Sequence, residues 1–429
     1  MSVRIVAFAY ACEPGEGSEP GAGWTWARML AHVGETWVIT RANNREAIEA
    51  RLDTLAERDR LHFVYVDLPP WARFWKRKKR GLRLYYLLWQ AAALRAARRL
   101  HRQSPFSVVW HLTFANAWLG SLAPLLGPRF VYGPVGGGIG MPPPRLLPTL
   151  GPRGIAYEFV RSGARALGRY ANPVARLAWG RAELMLVQNP ETRDWLPARH
   201  REKAHVFPNV VPDVGVPLAL RSRAGGTTAL FVGRLIPWKG AALAIRTIAR
   251  APGWRLLVCG SGAEEARLRR LAVGLGLESR VSFLGELPRE NVLRLMSTEA
   301  DVFLFPSLHD EAGWVVVEAL LCGLPVVCLD RGGPPVLAGP AALTAPALGD
   351  ANTVASALAA ALANARTSLG TTTIQDRALE FSFGARVQQL RLLLSSSGIG
   401  SSETRRPSTA ETRGQPVPMP ESMRQRSAS

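Results

Sequence analysis

The chain has 429 residues, of which 47% are hydrophobic, and a formal net charge of +20. Its length exceeds what one compact core usually holds, so we expect two domains of roughly 200 residues each. No uninterrupted apolar run approaches the ~20 residues of a membrane-spanning helix. The N-terminal "MSVRIVAFAYACEPGEG" reaches acid, Pro and Gly too early for a signal peptide. We therefore expect a cytoplasmic globular protein.

Short β-branched runs alternate with longer helical patterns along the chain. The first strand candidates are "VRIVAFAY", "TWVIT", "LHFVYVDL", "FSVVWHLT" and "RFVYGPV". A second set begins with "ELMLVQN" and "HVFPNVV" and continues through "TALFVGRL", "RLLVCGSG", "VSFLGEL", "DVFLFPS" and "LPVVCLD". Strands that alternate with helices form parallel sheets, so this pattern predicts an α/β protein with two doubly wound domains.

Pro, Gly and Asn cluster over residues 207–226, which predicts a domain boundary there. We therefore predict an N-terminal domain over residues 1–206 and a C-terminal domain over residues 207–375. Residues 376–395 have a helical pattern that could cross back to the first domain. Residues 396–429 are rich in Ser, Thr, Pro and Arg and predict a disordered tail.

The positive charge is unevenly distributed. No Asp or Glu lies between Asp67 and Glu158, whereas Arg and Lys are frequent there. Residues 71–103 place a basic cluster beside Trp, Tyr and Leu, as helices at an anionic lipid surface do. We expect this segment to bind a membrane surface; the alternative is the solvated basic face of an ordinary helix. Nucleic acid is less favoured as a partner, because no zinc-finger, RNP or recognition-helix pattern accompanies the charge.

Several cofactor classes are disfavoured by the sequence. The four cysteines are scattered and lack C-x-x-C spacing, so they predict neither disulfides nor a zinc site. The segment "CGSGAEE" lacks the third glycine of a dinucleotide fingerprint, and no P-loop motif occurs. The residues therefore give no strong indication of a metal, of NAD or of an ATPase site.

Two strand ends in the second half carry residues suited to a phosphate ligand. Arg234 and Lys239 lie five positions apart after "ALFVG", where two cations could hold a diphosphate; two ordinary surface cations are the alternative. After "DVFLFPS", Gly313 and the helix that starts near Trp314 would offer free backbone N–H groups. Glu318 follows as a lone charge in an apolar segment, so we expect it to have a partner, such as a ribose diol, and not to face solvent.

These segments resemble a known enzyme family. "FVGRLIPWKG", "DVFLFPSLHDEAGWVVVEALLCGLPVV" and "PNVVPD", in their order and spacing, resemble the retaining nucleotide-sugar glycosyltransferases of family 4, which have the GT-B fold. The resemblance extends over nearly the whole chain before the tail. "YACEPGEGSEPGAGW" and "GPVGGG" resemble a bacterial branch that builds surface polysaccharides. The resemblance implies two Rossmann-like domains that face each other across a cleft, with the acceptor on the N-terminal side and the donor on the C-terminal side.

The resemblance also implies roles for individual residues of the C-terminal domain. Arg234 and Lys239 would hold the donor diphosphate, and Glu318 would bind the ribose hydroxyls. Counting back seven intervening residues from Glu318 reaches Asp310, which stands where the family has a Glu that contacts the donor sugar. Glu311, the neighbouring acid, is then a loop residue outside the site.

In the N-terminal domain, Gly21 and Gly23 match a glycine-rich loop that faces the diphosphate. His111 matches a histidine near the reacting sugar, although a histidine hydrogen-bonded into the core is the alternative, and His309 could line the pocket. The resemblance implies sugar transfer from a nucleoside diphosphate sugar to a hydroxyl of a saccharide or lipid-linked acceptor, at the membrane's inner face and without a metal or other cofactor. Another GT-B activity, such as nucleotide-sugar epimerisation, and a non-catalytic membrane-bound scaffold are the alternatives.

Overall fold

The structure is a computed structural model that describes residues 3–69, 81–114, 116–212 and 226–399. Its first half contains one parallel sheet, whose strands are β1 (Arg4–Ala9), β2 (Glu35–Thr40), β3 (Leu61–Tyr65), β4 (Val108–Thr113), β5 (Arg129–Val135), β6 (Ala182–Val187) and β7 (Ala204–Val206). They are ordered β3-β2-β1-β4-β5-β6-β7. The central strands are buried on both faces, which explains why they read as continuous apolar runs.

Helices cover both faces of this sheet. They are α1 (Ser18–Ala31), α2 (Arg45–Leu52), α3 (Leu82–Gln103), α4 (Gly151–Tyr170), α5 (Pro173–Arg181) and α6 (Pro190–Trp195). Two apolar clusters lie on opposite sides of the sheet, one under α3 and α5 and the other under α1. The helices therefore bury the sheet as a doubly wound domain requires.

A second parallel sheet forms the other domain. Its strands are β8 (Thr228–Val232), β9 (Arg255–Cys259), β10 (Val281–Gly285), β11 (Val302–Phe305), β12 (Val326–Leu329) and β13 (Ala342–Ala345). Its helices are α7 (Ala241–Ala249), α8 (Glu265–Gly274), α9 (Arg289–Thr298), α10 (Trp314–Leu321), α11 (Gly333–Ala338) and α12 (Ala351–Ser368). The strand order is β10-β9-β8-β11-β12-β13, so the predicted pair of doubly wound domains is confirmed.

Two strands belong to a different sheet from the one that the sequence grouping suggested. The grouping of strand candidates places "ELMLVQN" and "HVFPNVV" in the second set, although β6 and β7 precede the predicted domain boundary at residue 207. In the structure β6 and β7 extend the first sheet, with Met185 opposite Tyr132 and Ala204 opposite Met185. The apolar pattern of a strand indicates burial and does not identify its neighbour. The first sheet therefore ends at Val206, and the second begins at Thr228.

The end of the chain returns to the first domain. After α13 (Thr371–Leu379), helix α14 (Phe383–Ser396) buries Leu390 and Leu394 in the core under α1, and Arg391 donates a 2.6 Å hydrogen bond to the carbonyl of His32. The predicted helix over residues 376–395 thus corresponds to the end of α13 and to most of α14. Most of the predicted tail, residues 400–429, lies outside the described residues.

The sheet topology determines where a ligand can bind. In each sheet the strand order reverses beside the first strand, between β1 and β4 and between β8 and β11. Ligands of open α/β sheets bind outside the carboxyl ends of the strands at such reversals. The loops that follow these four strands therefore form the candidate site.

Candidate active site

The four loops line one cavity of about 770 Å³ between the two domains. On one side the cavity is lined by strand-end loops and α4 of the N-terminal domain and by the linker. The residues on this side are Gly17, Ser18, Glu19, Phe114, Asn116, Trp118, Gly136, Gly137, Tyr157, Arg161, Gln188 and Asn209. From the C-terminal domain it is lined by Arg234, Lys239, Arg289, Phe305, His309, Asp310, Glu311, Gly313, Trp314 and Glu318, among others. Most of the residues predicted for the donor site therefore face the same space.

Lys239 and Asp310 form an ion pair on this cavity. Lys239 ends a short 3-10 turn after β8, and Asp310 lies on the loop after β11. The two loops approach closely at Gly240, where a Cβ atom would lie 1.9 Å from the carbonyl oxygen of Pro306 and where φ is +83°. Glycine is needed there, because any side chain would clash and the backbone is left-handed. This close approach brings the cation and the carboxylate together.

Arg234 lies on the same loop as Lys239, but its environment differs. Its side chain is exposed and lines the cavity, whereas the side chain of Lys239 is only 19% exposed. A diphosphate in the cavity could therefore meet one exposed guanidinium and one ammonium that is already paired with Asp310. Both cations lie where the sequence predicted a phosphate ligand.

Helix α10 begins at the cavity. Gly313 caps it in a left-handed conformation, with φ +88°, and Trp314 and Val315 of its first turn line the cavity. Glu318, about one turn further along, accepts a 2.7 Å hydrogen bond from Nε of Arg289, and its side chain is 18% exposed. Glu318 is thus a paired cleft residue, not a solvent-facing one. A ribose diol would have to share or displace Arg289.

Glu311 has a contact role that the sequence analysis did not assign to it. Its Oε2 accepts hydrogen bonds from Asn189 (3.1 Å) and Thr192 (3.2 Å) of the N-terminal domain, and Asn189 also donates to the backbone carbonyl of Glu311 (2.8 Å). The prediction of a loop residue outside the site needs correction, because Glu311 lines the cavity and connects the two domains. Spacing alone could not show this contact across the cleft.

His309 joins Glu311 to a second buried acid. Its Nδ1 lies 3.2 Å from Oε1 of Glu158, and its Nε2 lies 3.5 Å from Oε1 of Glu311. Burial would lower the pKa of His309, but the two carboxylates raise it above its usual range. Burial would raise the pKa of Glu311, whereas His309 and the hydrogen bonds to the carboxylate lower it. A protonated His309 between two carboxylates therefore stabilises the contact between the domains.

Comparison with known proteins agrees with this arrangement. Residues 219–371 match the family model "Glycosyl transferases group 1". The match covers the C-terminal domain, which is called the group 1 domain below. A D-inositol 3-phosphate glycosyltransferase of Mycobacteroides abscessus is 36% identical over 171 residues, 36% of this chain and 38% of the relative. An exopolysaccharide phosphotransferase of Streptomyces coelicolor is 32% identical over 167 residues, 37% of this chain and 17% of the relative. The chain thus matches well under half of the length of these curated relatives.

Solved structures share the fold over almost the whole chain. HepE of Anabaena, solved in complex with UDP, has a TM-score of 0.58 and 19% identity, covering 92% of this chain and 100% of that chain. Sucrose-phosphate synthase of Thermosynechococcus elongatus has a TM-score of 0.61 and 18% identity, covering 93% and 100%. The group 1 domain is therefore one half of a GT-B fold, as predicted.

The structure places His111 away from the cavity that the group 1 domain shares with the N-terminal domain. His111 is fully buried on β4, where its Nε2 lies 2.8 Å from the hydroxyl of Tyr86 and its Nδ1 lies 2.8 Å from that of Ser121. Burial lowers the pKa of His111 to about 3. A neutral imidazole with both nitrogens hydrogen-bonded matches the core alternative and differs from the predicted position near the reacting sugar.

Gly21 and Gly23 are also placed differently from the prediction. Both are buried inside α1 and not in the preceding loop, and a Cβ atom on Gly23 would lie 1.9 Å from the carbonyl oxygen of Ala11. Gly21 lines a recess beside the main cavity together with Arg289, Trp314 and Glu318, whereas Gly17, Ser18 and Glu19 line the main cavity itself. The predicted loop faces the group 1 domain, but these two glycines chiefly permit the helix to pack against that loop.

The described part of the predicted lipid-binding segment is an amphipathic helix, α3, with Leu84, Leu87 and Leu88 exposed on its outer face. Of residues 71–103, the structure describes α3, where Tyr85, Tyr86 and Trp89 are buried against Tyr10. Nε1 of Trp89 donates a 2.9 Å hydrogen bond to the carbonyl of Val66. These aromatic side chains face the protein, because together they fill the space between α3 and the sheet. The basic cluster of residues 71–80 lies outside the described residues.

The structure also shows the state of the cysteines and allows a search for metal sites and membrane-spanning helices. Within the described residues, all four cysteines are buried and free, and no group of three His, Cys, Asp or Glu residues is arranged to hold a metal ion. In the same residues no helix combines the length and the apolar character needed to cross a bilayer.

Sequence reasoning missed Arg289 and the buried acid Glu158. Arg289 occurs in an ordinary helix-start pattern, "LPREN", and only its contact with Glu318 gives it a place in the site. Glu158 did have a signal, because it is the first acid after a long span without any. An isolated acid in a basic region is often retained for a specific partner, and here the partners are Arg161 and His309.

Proposed function

We propose that the protein transfers a sugar from a nucleoside diphosphate sugar to a hydroxyl group of an acceptor. The observation that carries this proposal is the convergence of Arg234, Lys239, Asp310 and Glu318 on one cavity between the domains of a GT-B fold. The group 1 domain and the UDP and UDP-glucose bound to HepE give further support for a nucleotide-sugar donor.

Departure of the nucleoside diphosphate is the step that most needs stabilisation, because charge develops on its terminal oxygen. Arg234 and Lys239 would neutralise that charge, and the N–H groups at the start of α10 would add the positive end of a helix dipole. Fixed protein charges of this kind can replace a metal ion, so we propose that transfer requires none. Glu318 would bind the ribose hydroxyls, and Asp310 would contact the donor sugar.

We further propose that the anomeric configuration is retained. The support is the spacing of Asp310 and Glu318, which matches the family 4 motif except that Asp310 is one methylene shorter than the usual Glu. Lys239 holds the Asp310 carboxylate at the cavity wall, where a donor sugar would lie beside it. Closure of the two domains would exclude water and favour transfer over hydrolysis.

We propose a saccharide acceptor, lipid-linked, in the synthesis of a bacterial polysaccharide or glycolipid. Phe114, Trp118 and Tyr157 give the N-terminal side of the cavity an aromatic lining on which the apolar faces of a sugar ring could pack. The excess of positive charge supports a cytoplasmic protein that is peripheral on the inner face of an anionic membrane.

A thermal-shift screen of UDP-, GDP-, ADP- and TDP-sugars tests the proposal, followed by a transfer assay with the donor that binds. A ligand at 100 times its Kd stabilises the folded protein by about 2.7 kcal/mol, which a melting curve detects easily. Release of the nucleoside diphosphate should then depend on an added acceptor. If none of these donors raised the melting temperature, the proposal would be contradicted.

The same experiment separates the two alternatives. An epimerase would convert the donor sugar in the absence of any acceptor. A non-catalytic scaffold would bind vesicles without being stabilised by nucleotides. The conjunction of Arg234, Lys239, Asp310 and Glu318 on one cavity favours the transferase over both.

A further inference from the structure

Helix α4 (Gly151–Tyr170) has an unusual distribution of side chains. The residues that face outward are apolar along most of the helix, and the larger ones are strongly exposed: Phe159 is 60% exposed, Val160 74%, Leu167 67% and Tyr170 68%. A surface helix of a soluble domain normally turns its apolar stripe toward the core. Here the apolar stripe faces away from the protein.

Most charged residues of α4 lie on its inner face, whereas Arg153 is exposed. Glu158 is fully buried and accepts hydrogen bonds from Arg161 at 2.9 and 3.1 Å. Arg165 donates to the carbonyls of Gly137 (3.1 Å), which lines the cavity, and of Gly138 (2.6 Å). The inner face of α4 thus packs against the wall of the cavity, so only its outer face is available to contact a partner.

The outward stripe is continuous. Residues 152, 156, 160, 163, 167 and 170 are exposed and spaced three or four residues apart, and Phe159 lies beside Val160. Residues 156–170 alone extend over about 21 Å of helix. Scattered exposed apolar residues are normal on soluble proteins, whereas a contiguous patch of this size indicates an interaction surface.

A basic recess adjoins the C-terminal end of α4. Arg169, Arg176 and Arg199 line it together with Tyr170 and Trp179, and no acidic residue is among the described residues that line it. Guanidinium groups bind phosphate oxygens in a forked, bidentate geometry. The recess therefore suits a phosphate group that is presented next to an apolar surface.

The stretch of chain that contains α4 also carries almost no negative charge, although Asp194, three residues before Pro197 of the recess, has an exposed side chain that lies 3.2 Å from Arg193. Between Asp67 and Glu183 the only acidic residue of the chain is Glu158, whose side chain is buried against the cavity. A symmetric contact between two copies of this surface would bring arginine recesses near each other, which is unfavourable. An anionic bilayer complements both the charge and the apolar stripe.

We propose that the outer face of α4 and the adjoining arginine recess form a membrane-docking surface for a bilayer that contains anionic phospholipid. Phe159, Val160 and Leu167 would enter the region between headgroups and acyl chains, and the arginines would bind lipid phosphates. The inference builds on the proposed function, because Tyr157 and Arg161 of the same helix line the cavity. A lipid-linked acceptor in the docked membrane would thus be presented beside the cleft.

Flotation with lipid vesicles tests this surface directly. The variant Val160→Glu/Leu167→Glu places two charges in the stripe, and Val273→Glu/Leu348→Glu is the control, because those residues are 58% and 69% exposed in the C-terminal domain. Wild type and control should float with phosphatidylcholine vesicles that contain phosphatidylglycerol. The stripe variant should bind them at least roughly tenfold more weakly, since two apolar side chains no longer enter the bilayer.

A second variant tests the arginine recess. Arg176→Gln/Arg199→Gln should weaken binding to vesicles with phosphatidylglycerol and have little effect on any residual binding to pure phosphatidylcholine. All variants should keep the wild-type melting temperature and its increase with the nucleoside diphosphate that the donor screen identifies. This readout shows that each variant is folded and that its donor site is intact.

Three results would overturn the proposal. The first is wild-type protein that does not float with the anionic vesicles, and the second is a stripe variant that floats as well as wild type. The third is light scattering that shows a wild-type dimer converted to a monomer by the stripe substitutions, since the stripe would then be covered by a second copy. A wild-type protein that floats but gains no stability from any nucleotide would contradict the proposed enzymatic function and leave the docking surface supported.

Discussion

The two adjacent acids, Asp310 and Glu311, should have separable roles. Asp310→Asn keeps the shape of the side chain but removes the charge that pairs with Lys239 at the cavity. Glu311→Gln likewise keeps the shape but weakens the hydrogen bonds that the carboxylate accepts from Asn189 and Thr192. We expect the first change to reduce transfer and the second to reduce mainly stability.

The magnitudes follow from the contacts. Loss of one fixed group that stabilises developing charge typically reduces kcat by 10²–10³, or about 2.7–4 kcal/mol, and we expect Asp310→Asn to fall in that range. A hydrogen bond to a charged group contributes about 1.5–3 kcal/mol when buried. Because Glu311 is 27% exposed and its backbone carbonyl keeps the 2.8 Å bond from Asn189, Glu311→Gln should cost only about 1–2 kcal/mol.

Initial rates of transfer and thermal melting curves, measured on both variants with the donor found in the screen, separate these effects. Asp310→Asn should melt near the wild-type temperature and transfer slowly, whereas Glu311→Gln should melt earlier and transfer within roughly tenfold of wild type. A larger loss of transfer from Glu311→Gln than from Asp310→Asn would refute the assignment of Asp310 to the donor sugar.

Three further predictions concern the same cavity. Arg234→Ala should weaken nucleoside diphosphate binding about tenfold, and Lys239→Ala should weaken it more, because the loss of Lys239 leaves Asp310 unpaired beside the diphosphate. Calorimetry measures both affinities, with Arg270→Ala on the exposed face of α8 as the control. Unchanged affinity in both variants would remove Arg234 and Lys239 from the donor site. Gly313→Ala and Gly323→Ala, at φ +88° and +74°, should each cost about 1–2 kcal/mol of stability, but only Gly313→Ala should also weaken donor binding. Protonated His309 has a raised pKa when folded, so its stabilisation is complete below pH 6.5 and is lost as the pH rises through the folded pKa. The melting temperature of wild type should therefore fall more than that of His309→Gln between about pH 6 and pH 8.5, and parallel curves would argue against a charged His309.

Much of the fold could be predicted because parallel strands that are buried on both faces produce recognisable apolar runs. The runs "VRIVAFAY" and "TALFVGRL" correspond to β1 and β8, the strands beside which both sheets reverse their order. The strand patterns by themselves did not place β6 and β7, because a run of apolar residues does not specify which sheet it joins; only the Pro, Gly and Asn cluster after residue 206 separates these strands from the second sheet. That choice depends on contacts between residues distant in sequence.

The residues of the candidate site could also be predicted only in part. Arg234, Lys239 and Gly313 are predictable because each lies in a loop after a strand end, and Glu318 because it is a lone charge in an apolar segment; the topology brings these positions together. His111 is also near a strand end, but its side chain points into the core, since β4 is buried on both faces. Strand position therefore identifies candidates but does not determine which face of the strand they occupy.

Residues that act through distant partners left no local pattern. Arg289 contacts Glu318 across 29 positions, and Asn189 contacts Glu311 across 122. Both pairs lie at the cleft. Arg289 is paired with Glu318, the predicted ligand of the ribose, and the contact between Asn189 and Glu311 joins the two domains. A donor whose ribose bound Glu318 would therefore compete with Arg289, which would link nucleotide binding to a rearrangement of an ion pair already present.

The uneven charge of the N-terminal half has a physical reason that only the structure reveals. The sequence associated the acid-free span with a lipid-binding helix rich in Tyr and Trp, but the described aromatic residues of α3 fill the core. Exposed apolar residues lie on α4 as well as on α3, and the single acid of α4, Glu158, faces inward to pair with Arg161 and His309. A surface that must meet anionic lipid cannot present carboxylates, whereas the cavity behind it needs one to hold the domains together. Placing the only acid on the inner face of α4 satisfies both requirements with one helix.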